Sequence, residues 1–229
     1  MINKEQKITY QKMTQKRLNI EFYNACIYGH LDIVKYLLTS PELNNHANIH
    51  VQDNYGLACA CSEGHLEIIE YLLTSSELKE HANINTERYN ALVKASIEGH
   101  LNVVKYLLTS PQLKEHANIH AESDSSLVCA CSEGHIDIVQ YLLTSPDLKE
   151  HANIHAQNDH ALINACFYEK INIVQYLIFD YKIDKTNHIE KYLIINKKSD
   201  IIEMFNKREL ESKLQINLQN NNSKNIIKI

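Results

Sequence analysis

The apolar residues of this chain fall at helical intervals, and the whole set recurs every 35 residues. Leu31, Ile33, Val34, Leu37 and Leu38 return as Leu66, Ile68, Ile69, Leu72 and Leu73. A fifth copy reads Ile171, Ile173, Val174, Leu177 and Ile178. Gly-His precedes the set at 29–30, 64–65, 99–100 and 134–135, and Glu169-Lys170 takes its place in the fifth copy. Spacing of i, i+1, i+4, i+5 predicts an amphipathic helix after each of these pairs. Ahead of each pair stand an apolar residue (Phe22, Leu57, Leu92, Leu127, Leu162) and, three later, an alanine (Ala25, Ala60, Ala95, Ala130, Ala165). That step puts both on one helical face and predicts a first helix at about 22–28, 57–63, 92–98, 127–133 and 162–168. The recurring alanine implies close approach of neighbouring helices. Gly29, Gly64, Gly99 and Gly134 should end the first helices in the left-handed region that glycine favours. A fixed period of this size means stacked supersecondary units.

Between copies, Ser40-Pro41-Glu42-Leu43 recurs as Ser75-Ser76-Glu77-Leu78, Ser110-Pro111-Gln112-Leu113 and Ser145-Pro146-Asp147-Leu148. Serine, proline and a carboxylate suit a helix start, so a third short helical turn is expected over the leucines. His-Ala-Asn-Ile then leads to the next copy. No run alternates long enough to make a strand. Tyr36, Tyr71, Tyr106, Tyr141 and Tyr176 are expected as a half-buried column with wet hydroxyls. The chain divides into a capping segment (1–18), five repeats (19–179), a worn sixth repeat as C-terminal cap (180–205) and a basic, Asn-rich tail (206–229). Within the cap, helices are expected at 189–195 and 201–205, the second started by Asp200 with Glu203. The last dozen residues are expected to be disordered.

Composition changes this picture little: 44% hydrophobic and 22% charged residues are ordinary for a folded protein. No apolar run approaches the roughly 20 residues of a membrane helix. Residues 1–17 lack the apolar core and cleavage site of a signal peptide, so a cytosolic location is expected, the cell's own or a host's. Charge is more informative. Of the net −5, the first 18 residues carry +4 and the last 24 carry +3, which leaves a body of −12. Such a body repels phosphate backbones and argues against a nucleic-acid ligand. Four of the six cysteines (Cys26, Cys61, Cys131, Cys166) share one repeat position, and Ser96 fills it in the third copy. Stacked about one repeat apart, they exceed the ~7 Å reach of a disulfide and read as small buried thiols.

These residues resemble the ankyrin repeat. The match lies in Leu57-x-x-Ala60-x-x-x-Gly64-His65-Leu66-Glu67-Ile68-Ile69-x-x-Leu72-Leu73, followed by Ala82-Asn83-Ile84-Asn85. It covers residues 19–179, with a degenerate extension to about 205. The resemblance implies an all-α, ankyrin-like helical repeat solenoid of about five repeats plus degenerate terminal caps. Three departures are visible. Tyr55-Gly56-Leu57-Ala58 replaces the family's Thr-Pro-Leu-His entry, so that hydrogen-bonded turn must be built otherwise. About five residues are added after the second helix. About three are missing before the next first helix, so little or no β-hairpin is expected. Such compact variants look like the ankyrin arrays of intracellular bacteria, giant viruses and protists.

Thirteen histidines raise the question of a metal. His46/His50, His116/His120 and His151/His155 have the i, i+4 spacing that holds zinc on a helix. The intervening Ala-Asn-Ile reads as a connector, however, and repeat 2 has Asn85 where the second histidine would stand. These imidazoles, and His30, His65, His100 and His135, are read as bonding the local backbone. No phosphate loop or nucleophile motif is present, so no catalytic residue, metal or cofactor is assigned. What remains is surface. Positions that vary while their neighbours repeat are free to serve a partner. They are Tyr28, Glu63, Glu98, Glu133 and Tyr168 before the Gly-His pairs, and Tyr89, Asp124 and Asp159 near the helix starts. This patch, aromatic at both ends and acidic across the middle, suits a basic or mixed-charge protein segment bound by a monomeric, non-enzymatic interaction module. The alternative is an effector whose basic C-terminal tail engages a partner or a membrane surface. A redox- or metal-linked role for the Cys and His columns comes third.

Overall fold

The structure, a computed structural model, describes residues 2–88 and 90–226, with side-chain surroundings as far as residue 216. Among these residues there are thirteen α-helices and no strand. Five first helices, α2 (Gln15–Ile27), α4 (Val51–Ser62), α6 (Ala91–Glu98), α8 (Ser125–Glu133) and α10 (Ala156–Phe167), alternate with five second helices. The latter are α3 (Leu31–Thr39), α5 (Leu66–Thr74), α7 (Leu101–Thr109), α9 (Ile136–Thr144) and α11 (Ile171–Gln175). A short α1 (Lys4–Gln11) precedes them; α12 (Asn187–Ile195) and α13 (Ser199–Ile226) follow. The first helices stack α2–α4–α6–α8–α10–α12 in one layer, and the second helices form the other. The helical repeat solenoid implied by the period is therefore the fold.

Its seam is the alanine column. Ala25, Ala60, Ala95, Ala130 and Ala165 are all buried, flanked by Phe22 and the four equivalent leucines. Ser96, fully buried in the cysteine column, bonds its hydroxyl to the Leu92 carbonyl at 2.8 Å. The cysteines are free, and all but the half-buried Cys129 are buried.

One seam position is adjusted by hand, as it were, to a single neighbour. Phe22 is larger than the leucines of the other copies, and the residue facing it is Gly56, where later repeats have Ala91, Ser126 and Ala161. A Cβ on Gly56 would lie 2.4 Å from the Phe22 ring, which is fully buried and has nowhere to swing. Gly56→Ala should therefore cost about 1–3 kcal/mol by overpacking. In a Phe22→Leu background the same change should be neutral or stabilising, because alanine is the better helix former by about 1 kcal/mol. Urea titration of the four proteins checks this; additive effects would sink it.

Three of the four Gly-His pairs reach back to bond the preceding repeat. Gly29, Gly64, Gly99 and Gly134 have φ between 74° and 98°. The next residue's amide closes on the alanine carbonyl five back, as in His65 N to Ala60 O at 2.9 Å. The imidazole reaches further than the local turn assigned to it from sequence. His65, His100 and His135 donate from Nε2 to Ile27, Ser62 and Ile97 of the preceding repeat, at 2.8–2.9 Å. Each ring lies against the helix-ending glycine of the preceding repeat.

Two connector expectations are corrected. The Ser-Pro-Glu-Leu segment makes a single turn, not a helix: Leu43 N bonds Ser40 O at 3.1 Å and Glu42 N bonds Ser40 Oγ at 3.2 Å. The chain is then pulled back onto the second helix, Ala47 N bonding Leu37 O at 2.9 Å, which leaves no length for another helical turn. His46, His81, His116 and His151 lock this strap by donating to the serine carbonyl six residues back, at 2.9–3.0 Å. In the tyrosine column, the hydroxyls of Tyr71 and Tyr106 are buried rather than wet, covered by the strap and the preceding helix. Tyr141 contacts Thr109 Oγ1 at 3.4 Å.

The missing entry turn is replaced by a left-handed one. Gln52-Asp53-Asn54, Glu122-Ser123-Asp124 and Gln157-Asn158-Asp159 all have φ between 49° and 67°. Three such residues in a row cost about 1–2 kcal/mol each unless held. The last residue of each triplet is the holding group. Asn54 and Asp124 are buried, and each Oδ1 accepts from a histidine four residues back and from the backbone of the next repeat. The pairs are His50 and Asn83, then His120 and Asn153, at 2.9–3.0 Å.

The ends are closed differently. At the N-terminus, α1 carries an Asn3–Gln6 capping box and tucks Tyr10 against Tyr36, ring centroids 5.9 Å apart. At the C-terminus, α11 runs into a π turn (Tyr176–Asp180), and the strap shortens so that Ile183 N, not an alanine, bonds Leu177 O at 2.9 Å. Thr186 caps α12, which begins two residues before the expected start. The tail departs from expectation: α13 continues helically to Ile226, with 227–229 outside the described residues. No glycine follows Gly134 and no proline follows Pro146 to stop it.

Candidate functional site

The five residues before the left-handed glycines (or Glu169) occupy one repeat position: Tyr28, Glu63, Glu98, Glu133 and Tyr168. Each ends a first helix, and the buried Ala and Cys positions behind it fix which way the helix turns. All five are exposed, Tyr28 at 68% and Tyr168 at 54%. Phe167, beside Tyr168 and T-shaped to it at 4.9 Å, is 61% exposed. None of the three carboxylates has a hydrogen bond or ion pair within the described residues. The structure thus brings together five of the eight residues singled out in the sequence.

The other three do not belong to this surface. Asp124 and Asp159 are buried, at 5% and 2% exposure, because they hold the left-handed turns. Their variation in sequence is structural, and they are withdrawn as partner contacts. Tyr89 lies outside the described residues.

Sequence reading also missed part of the face. A groove of about 150 Å³ beside Glu63 is lined by Ile27, Tyr55, Ala58, Cys59, Ser62, Glu63 and Lys94. Lys94 varies against Asn24, Cys59, Cys129 and Asn164 at its repeat position, so the test that found Glu63 would have found it one helical turn earlier. Cys59 and Cys129 flank it, and burial pushes both thiols up. Deeper in the seam, burial raises the Cys26, Cys61 and Cys131 thiols further, and Cys166 to about 12, so these are packing groups rather than nucleophiles. Clefts of about 330 and 300 Å³ under the straps, near His46 and His116, have equivalent walls two repeats apart and follow from the period itself.

The histidines are engaged with straps, left-handed turns and preceding repeats. Among the described residues no three His, Cys, Asp or Glu side chains converge as metal ligands would. No described helix is long and apolar enough to cross a membrane.

A comparison with family models finds one match, described as ankyrin repeats (3 copies), over residues 22–118 and 110–189. No curated protein matches the chain.

Proposed function

The chain belongs to the ankyrin-repeat family, whose repeats are generally protein–protein interaction modules, and from that premise we propose that it is a non-enzymatic module binding a basic or mixed-charge protein segment. One observation carries this reading. The exposed ends of the first helices vary from repeat to repeat, whereas the residues around them are fixed by packing. Glu63, Glu98 and Glu133 form an acidic column whose carboxylates make no bond within the described residues, and Tyr28, Phe167 and Tyr168 supply large exposed rings at its two ends. Carboxylates steer encounter and aromatic anchors hold the complex. A cytosolic location and a monomeric state go with the proposal.

The C-terminal alternative has less to draw on. Arg208 donates to the Ile178 and Ile183 carbonyls, and Lys207 lies 6.0 Å from the Phe179 ring centroid. Two of the tail's cations thus anchor α13 to the array.

The test is a pull-down from lysate with Glu63→Lys/Glu98→Lys/Glu133→Lys beside wild type and a truncation after Arg208. Because the three carboxylates support no internal bond, circular dichroism should be unchanged. Partner affinity should fall roughly tenfold or more in the triple variant and stay intact in the truncation. Loss on truncation with the triple variant unaffected would transfer the site to the tail.

A further inference from the structure

The acidic column is interrupted by one cation, and its position is informative. Lys94 stands at the centre of the array, one helical turn before Glu98 in α6, where repeats 2 and 4 carry Cys59 and Cys129. Both thiols, raised chiefly by burial, feel the lysine pulling the other way, so its charge lies within reach of each. The Lys94 ammonium has no hydrogen bond or ion pair within the described residues. The middle repeat is therefore neutral on this face. Repeats 2 and 4 present lone carboxylates, Glu63 and Glu133, each with a serine before it, Ser62 and Ser132.

Packed helices lie about 8–10 Å apart, so the two carboxylates, two repeats from each other, are separated by roughly 16–20 Å. An extended chain advances about 3.3 Å per residue and covers that distance in six, an even step that returns the side chain to the same face. We propose that the face is matched to an extended polypeptide in which two Lys or Arg residues, six apart, flank a non-basic centre, with bulky apolar side chains beyond them for Tyr28 and Tyr168. Lys94 repels a cation placed between them on the same side of the chain and so discriminates against a uniformly basic segment. This rests on the reading of the face given above and adds the spacing of the partner's charges.

Fluorescence anisotropy with synthetic peptides tests it. Lysine pairs four, six and eight apart, and a six-apart pair with a third lysine two residues inside it, are titrated against wild type, Lys94→Glu and Glu63→Lys/Glu133→Lys. The six-apart pair should bind wild type tightest. The inner lysine should weaken binding to wild type and strengthen binding to Lys94→Glu, each by about fivefold. Binding that follows lysine number regardless of spacing, equal in wild type and Lys94→Glu yet lost in the double reversal, overturns this inference alone. Peptides that bind the double reversal as well as wild type overturn the face reading too. No binding of any peptide to wild type also overturns the spacing rule, leaving the face to the pull-down.

Discussion

Replacing Gly99 with alanine should destabilise the array by roughly 2–5 kcal/mol, adding left-handed strain to overpacking. Gly99 sits at φ 81°, and an added Cβ would lie 2.5 Å from the His135 ring. That ring cannot move aside freely, because its Nε2 holds the Ile97 carbonyl at 2.8 Å. The two costs are separable. At the fifth copy of this position Glu169 is accommodated at φ 57°, so the backbone tolerates a side chain where no imidazole covers it. Over Gly134 the next repeat places Lys170, whose stem would be 3.1 Å from a new Cβ, looser than the nearest approach of any of the three imidazoles, 2.5–2.7 Å. His135→Lys should therefore recover part of the loss in a Gly99→Ala background, leaving only the strain of about 1–2 kcal/mol. Thermal or urea unfolding of the cycle measures it. Equal destabilisation with and without His135 would show that the ring is not part of the cost.

That contact shows what the sequence makes legible. The period, the helix-ending glycines, the alanine seam and the lack of strands all follow from residues a few positions apart, and these expectations held. The features that were misread depend on bonds between repeats. The Gly-His imidazole was assigned to its own turn but spans 38 residues to a carbonyl of the repeat before. The left-handed turns were invisible because the bonds that hold them cross 29 residues at Asn54 and Asp124 and 27 at Asp159. Asp124 and Asp159 looked variable because the column reads Asn19, Asn54, Tyr89, Asp124, Asp159. Four of the five carry a side-chain carbonyl or carboxylate oxygen, so the column is nearly constant in chemistry although not in letters. Where Tyr89 breaks it, the position four earlier changes from histidine to Asn85, whose Oδ1 accepts the Asn118 amide at 2.9 Å. A search for acceptors rather than identities would have removed both aspartates from the candidate surface.

The same column predicts how the C-terminal cap fails. Asp159→Ala should cost roughly 2–4 kcal/mol, since it removes the buried acceptor of two hydrogen bonds and empties a packed site. Asp159 is the one member with both oxygens committed: Oδ1 to His155 Nδ1 at 2.6 Å, Oδ2 to the Thr186 hydroxyl, with His188 Nδ1 3.9 Å from Oδ2. Thr186 in turn caps α12 by accepting from Ile189 N at 3.3 Å. Alanine also leaves the turn at Gln157 and Asn158, φ 52° and 58°, without its brace. In a linear array the damage should stay near the junction that was cut. Hydrogen exchange should therefore rise across α12 and the start of α13, while α2 to α6 remain protected. Asp124→Asn is the matched control. Asn54 makes the same two bonds with an amide, so that change should cost well under 1 kcal/mol despite the burial of the site. Uniform acceleration of exchange along the whole chain in Asp159→Ala would refute a local cap. An unchanged α12 would show that Asp159 does not tie it down.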